Sequence, residues 1–174
     1  MLCNEEICGK SVSLRMVELS DCVQYYLDWL NDEETNRYLE TRWERQSIEK
    51  IKNFVDSMRK STHSYLFAII FRNKHVGNIK LGPIHPIYKF ADISYFIGDK
   101  NCKNKGVATE SVKLLVNFAF KKLNLNRLEA GVFEQNVASQ KVLQNNGFIR
   151  DAVLRKRVFL KRRENYCEHI GIHC

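Results

Sequence analysis

Lys103-Asn104-Lys105-Gly106-Val107-Ala108-Thr109-Glu110 is the stretch on which the reading of this chain turns. Before it, Phe90 to Ile97 has the apolar, β-branched and aromatic content of a strand. After it, Val107 to Leu123 carries Val112, Leu115, Val116, Ala119, Phe120 and Leu123 at helical spacing. A short turn therefore passes the chain from a strand directly into a helix start. The first amides of a helix have no carbonyl one turn earlier and sit at the positive end of its dipole, so they attract anions. Gly106 leaves that approach free of a side chain, and Lys103 and Lys105 add positive charge. By itself this pattern is a weak signal, because an ordinary solvated helix start produces it more often than a phosphate-gripping turn does.

Working outward, the chain reads as one alternating set of elements. Ser11 to Met16 alternates with the period of a half-buried strand, and Ser20-Asp21 offers an N-cap before Val23, Tyr26, Leu27 and Leu30. Ser47 caps a second helix whose stripe is Ile48, Ile51, Phe54, Val55 and Met58. Strands are expected at Tyr65 to Phe71, Val76 to Leu81 and Phe90 to Ile97, with Pro83 and Pro86 in the loop between the last two. Beyond the long helix come a strand at Arg127 to Phe133, a helix at Val137 to Asn145 stopped by Asn146-Gly147, and a closing hairpin of Val153 to Phe159 with Tyr166 to Ile172. There is no repeat and no Pro/Gly/Ser linker, so residues 1–174 are expected to form a single α/β domain of the α+β type.

Composition narrows the function class. With 44% apolar and 28% charged residues, the chain can build a core and is neither disordered nor disulfide-dense. No segment approaches a membrane span and no basic stretch leads into an apolar run at the start, so a cytoplasmic protein is expected. Six cysteines without a CxxC pair and five dispersed histidines have no zinc-ligand spacing, so no metal is expected. A net charge of +8 favours an anionic partner and disfavours a polycationic acceptor such as a polyamine. The basic run Arg155-Lys156-Arg157 with Lys161-Arg162-Arg163 is a solvated strand pair or a phosphate-touching surface. It lacks interleaved exposed aromatics at a readable spacing, which disfavours nucleic acid.

A second block lies downstream. Glu134-Gln135-Asn136-Val137-Ala138-Ser139, followed by Asn146-Gly147-Phe148, resembles together with Lys103, Gly106 and Ala108 the two signatures of the GNAT superfamily of N-acetyltransferases. Leu14-Arg15, Asp21 and Trp29-Leu30-Asn31 resemble the branch that contains the ribosomal-protein N-terminal acetyltransferases. Lys103 stands where Arg or Gln is usual, and Asn104 where glycine is common.

The resemblance implies a mixed, mostly antiparallel seven-stranded sheet with about four helices. It implies acetyl-CoA as co-substrate, its diphosphate held by Lys103, Asn104, Lys105, Gly106, Val107, Ala108 and Thr109. Its pantetheine arm would lie between two splayed strands, Phe90 to Ile97 and Arg127 to Phe133, bonded to backbone at Ile97 and Gly98, with an N–H there polarising the thioester carbonyl. Asn136 would bond the arm or cap its helix. A base is needed because an ammonium has no lone pair, and the candidates are Glu129, Asp92 and Glu168. The usual tyrosine seven residues after the motif asparagine is Leu143 here, so Ser139 becomes the candidate neighbour of the sulfur. Trp29, Tyr38, Trp43 and Tyr88 fall in segments that wall the acceptor site. The amine would be a protein N-terminus or a small amine such as a nucleotide-linked amino sugar, acetylated by direct attack on a monomer or homodimer. A non-catalytic acyl-CoA-binding protein and a basic nucleic-acid module are the alternatives.

Overall fold

The computed structural model describes residues 6–159 and 166–174, with the side chains of 166–169 outside that description. The strands are β1 (Ile7–Cys8), β2 (Val12–Met16), β3 (Tyr65–Phe71), β4 (Lys74–Ile84), β5 (Phe90–Ile97), β6 (Arg127–Phe133), β7 (Ile149–Phe159) and β8 (Tyr166–His173). The helices are α1 (Gln24–Asn31), α2 (Glu33–Asn36), α3 (Ile48–Lys60), α4 (Val107–Lys121) and α5 (Val137–Gln144). All described strands join one sheet in the order β1-β2-β3-β4-β5-β6-β8-β7. Every pairing is antiparallel except β5 with β6.

The sheet has eight strands rather than seven because Ile7–Cys8 pairs with Ser13 and Leu14, a bridge too short to leave a periodic signal. The sequence also misplaces the start of α1. Ser20 and Asp21 lie in a 3-10 turn, and Val23 is the N-cap. Asp21 does not cap that helix because Arg15 claims its carboxylate through two hydrogen bonds of 2.7 Å. The Ser47 cap is formed as expected, accepting from the Lys50 amide.

Period-two alternation divides the sheet's side chains between two cores. On one face Leu14, Ile69, Ile79, Leu81 and Ile93 pack with Val112, Leu115 and Ala119 of α4. On the other, Leu66 and Ala68 pack with Tyr26 and Leu30 of α1 and with Ile51, Val55 and Met58 of α3. The functional consequence comes from the middle of the sheet. The pairing of β5 with β6 runs only through Phe90–Arg127, Ala91–Leu128 and Asp92–Glu129. Beyond that point both strands continue, to Ile97 and Phe133, without a partner in each other.

Candidate active site

The parting strands form a V whose closed end is the Asp92–Glu129 pair. On its other edge β5 is paired along its length with β4, and the Gly98 and Asp99 amides both donate to the Val76 carbonyl, at 2.8 and 3.1 Å. The Gly98 N–H is thus consumed by β4 and is not available to polarise a carbonyl. The alternation that turns Gly98 toward β4 turns the backbone groups of Ile93, Tyr95 and Ile97 into the open V. Past the last pair, those of Tyr95 and Ile97 have no pairing partner in β6, which leaves an edge open in the middle of the sheet. Gly98 is required for another reason: a Cβ there would stand 2.1 Å from the Trp29 ring. Trp29 is therefore a packing residue against the end of β5.

From the open end of the V the chain passes through a 3-10 turn (Lys100–Cys102) into α4. Gly106 is the N-cap residue of α4 with φ 76°, and Asn104 is also left-handed at φ 59°. A Cβ on Gly106 would meet nothing within 4 Å, so the free protein needs glycine there for its dihedral rather than for space. The amides of Val107, Ala108 and Thr109 follow with no carbonyl one turn earlier in the helix. Among the described residues, hydroxyl and carboxylate caps are absent from this start. Glu110 reaches away, accepting from the Lys10 amide at 2.5 Å and the Ser11 amide at 2.9 Å. Asn146, just past α5, donates to the Thr109 carbonyl at 3.1 Å and ties the two signature blocks together. The turn presents bare amides at a helix start, which fits a diphosphate.

Lys103 does not face that start. Its Nζ is held 2.6 Å from Glu34, while Lys100 lies 2.8 Å from Asp32, so the turn before α4 is clipped to α2. The Lys100 contact and the Thr35 amide hold the Asp32 carboxyl down at about 2.

On the α1/α3 side the V opens into a cleft of about 640 Å³. Aromatic and apolar walls come from Tyr26, Tyr38, Phe54, Phe96 and Phe133, and the polar lining includes Asn78, Lys80 and Ser94. Phe54, placed in the apolar stripe of its helix by sequence, is 44% exposed because it faces this cleft. Of the other aromatics expected near the acceptor, Tyr38 lines it, whereas Tyr88 is 68% exposed beside His85.

The structure brings Asp92 and Glu129 side by side as register partners. Glu129 is bound to Arg127 at 2.6 Å, and Arg127 also holds Asp151 at 2.6 Å. Among the described residues Asp92 has no such partner. Desolvation, then the neighbouring Glu129 charge, push its carboxyl up, with Lys80 opposing. The side chain of Glu168 lies outside the described residues, as do Lys161, Arg162 and Arg163.

Asn136 caps α5, its Oδ1 accepting from the Ser139 amide at 3.2 Å. Ser139 itself meets a residue that sequence reasoning did not single out. The Tyr95 hydroxyl lies 2.8 Å from Ser139 Oγ and 3.3 Å from its carbonyl. Burial pushes that phenol up to about 12, so it keeps its proton at neutral pH. Leu143, at the usual tyrosine position, is 1% exposed in the core. A phenol on β5 thus stands beside α5 where the helix itself provides none. No single-chain signal links positions 44 residues apart.

Among the described residues no group of three or more His, Cys, Asp or Glu could hold a metal, and no helix is long and apolar enough to cross a membrane. Comparison with known proteins agrees with this geometry. The family model for the acetyltransferase (GNAT) domain matches residues 11–149. The chain is 27% identical over 157 residues to the uncharacterized N-acetyltransferase p20 of Bacillus licheniformis, covering 87% of this chain and 86% of that protein. It is 46% identical over 68 residues to the probable N-acetyltransferase YjcK of Bacillus subtilis (strain 168), a match spanning 39% of this chain and 37% of that one. Its fold superposes with a TM-score of 0.86, at 18% identity and covering 98% and 97% of the two chains, on the ribosomal L7/L12 alpha-N-protein acetyltransferase RimL solved with coenzyme A. A sheet parted at its centre, bare amides at the start of the following helix and a family match over most of the chain lead to one conclusion: this chain belongs to the GNAT acetyltransferase domain family, acyltransferases that use acetyl-CoA to acetylate amines.

Proposed function

We propose that this chain acetylates a primary amine by direct transfer from acetyl-CoA, the acceptor being a protein N-terminus or a small amine such as a nucleotide-linked amino sugar. The observation that carries the reading is the end of β5–β6 pairing at Asp92–Glu129. It leaves a strand edge at Tyr95 and Ile97 that an extended amide-bearing arm can complete, with the Gly106 turn at its open end. Acetyl-CoA supplies an activated acyl thioester there. The amides of Val107, Ala108 and Thr109 bind its diphosphate, with Lys105 adding charge.

Asp92 takes the proton that the attacking amine loses as its nitrogen bonds to the acyl carbon. The carbon–sulfur bond breaks, and the Tyr95 hydroxyl, aligned by Ser139, hydrogen-bonds the departing sulfur and delivers a proton to it. The proton on Asp92 then passes through solvent to the Tyr95 phenolate, restoring both groups. The free thiols of Cys8, Cys22, Cys102 and Cys174 fit a reducing, cytoplasmic setting.

Two measurements test this. Acetyl-CoA at about 100 times its Kd should raise the melting temperature, since such a ligand stabilises the native state by about 2.7 kcal/mol. Free CoA thiol should then appear only when a primary amine is added. No melting shift would sink the reading; a shift without amine-dependent thiol leaves only an acyl-CoA-binding protein. Tyr95→Phe should lower kcat about tenfold or more with little change in KM, because an acid that acts as the leaving group departs contributes to the transition state alone. Ser139→Ala should cost less, since Tyr95 retains the Ser139 carbonyl. Equal kcat in Tyr95→Phe and the unaltered protein would remove the phenol from the mechanism.

A further inference from the structure

A buried polar chain runs from the far side of α1 to the wall of the cleft. Arg15 grips Asp21 through both terminal nitrogens, and Asp21 is 6% exposed. His75 follows, its Nδ1 3.9 Å from Asp21 and 3.4 Å from the Tyr25 hydroxyl, and its ring is walled by Tyr25, Tyr26 and Trp29. Burial lowers its pKa, so the ring is neutral at neutral pH. His75 Nε2 lies 2.6 Å from Asn78 Oδ1. An amide oxygen can only accept, so Nε2 carries the imidazole proton and Nδ1 is left to accept from Tyr25.

That assignment fixes which way Asn78 points. With Oδ1 committed to His75, Nδ2 is turned the other way, and among the described residues the buried Nδ2 has no hydrogen-bond partner. Asn78 is 2% exposed and lines the cleft. Nδ2 faces the Tyr26 hydroxyl, which also lines the cleft. With no hydrogen bond formed between them, Asn78 Nδ2 and the Tyr26 hydroxyl both remain to meet a ligand in the cleft. A buried donor without a partner is costly, so such a group is a feature to be accounted for.

We propose that Tyr26, oriented by the His75–Asn78 pair, selects the acceptor by donating a hydrogen bond to an oxygen close to its amine. The inference rests on the acetyltransferase reading and adds a criterion for its substrate: an amine bearing a carbonyl, carboxamide or hydroxyl oxygen, rather than an oligoamine. The lining charges agree with this. Among the described lining residues the acidic side chains are already engaged, Glu44 by Lys50 at 2.7 Å and Glu40 by Arg42 and the Trp43 indole at 3.1 Å each. Lys80 adds a positive charge to the same lining. A polycation would find neither a free carboxylate among these nor a use for a phenol that donates.

The test compares L-alaninamide, n-propylamine and spermidine as acceptors, read both as CoA-thiol release and as calorimetric affinity for the CoA-loaded protein. The unaltered protein should favour alaninamide over propylamine about tenfold or more, the range expected when a site built to hydrogen-bond a group meets an analogue without it. Tyr26→Phe should bring that ratio to within about threefold of unity, mainly through KM. Asn78→Asp should do the same, because a carboxylate at 78 would draw the Tyr26 proton toward itself. His75→Gln, which keeps a donor for Asn78, should preserve much of the ratio that His75→Leu loses. The melting shift with acetyl-CoA serves as the control for folding and donor binding in every variant. A ratio unchanged in Tyr26→Phe and Asn78→Asp, or a preference for spermidine in the unaltered protein, would overturn the inference. Absent turnover with all three amines counts against the proposed reaction instead, because the affinity comparison still reports on Tyr26.

Discussion

Glutamate in place of Gly106 is expected to weaken acetyl-CoA binding at least about a hundredfold, or roughly 2.7 kcal/mol. Two effects add. Gly106 sits at φ 76°, where a residue with a Cβ is strained by about 1–2 kcal/mol. The new carboxylate would also stand at a helix start whose amides attract anions, competing with the diphosphate for them and repelling it. Because a Cβ at 106 meets nothing within 4 Å, the fold itself should survive with only the dihedral penalty. Gly106→Ala separates the two effects, since it carries the strain without the charge and should lose far less affinity. Isothermal titration with acetyl-CoA gives the answer directly. Wild-type affinity in the glutamate variant would mean that the diphosphate is held somewhere else.

Asp92→Asn is expected to lower kcat about a hundredfold, the scale on which general bases contribute. It should also remove the acidic limb of the pH–rate profile. Desolvation and the Glu129 charge raise the Asp92 carboxyl, so the basic form appears only at a pH above that of an ordinary aspartate, and the rate should climb through that raised pKa. The stability effect has the opposite sense. A carboxyl whose pKa is higher folded than unfolded favours the fold below the unfolded pKa, and that contribution is lost as pH rises through the folded one. At neutral pH the ionised Asp92 therefore disfavours the folded state, and the asparagine variant should melt no lower than the parent. A large fall in rate at undiminished melting temperature is the signature of a base. If Glu129→Gln costs more than Asp92→Asn, the roles of the two neighbours are reversed.

Local patterns disclosed much of this molecule. Tyr65–Phe71, Phe90–Ile97 and Arg127–Phe133 have the bounds that apolar content and turn residues predict, because each is a strand with a strongly buried face. The Gly106 turn was legible because its dihedral demands a particular residue at a particular place. Features decided by contacts between distant positions were not. Lys103 looks like a free cation in sequence, yet Glu34 holds it from 69 residues away. Gly98 looks available until the register sets it against Val76. Asp21 reads as a helix cap until Arg15 takes its carboxylate. Tyr95 and the His75–Asn78 pair carry no short-range motif, and their significance appears only when the sheet sets which side chains share a face.

The indole of Trp29 lying on Gly98 bears on how this site can vary. Any side chain at 98 must displace the Trp29 ring of α1 from the end of β5, and any smaller residue at 29 leaves a hollow behind that strand. Neither position can drift alone. Within the lineage of this chain the two should change as a matched couple, so that alterations in acceptor preference arising at α1 carry a signature at the end of the central strand.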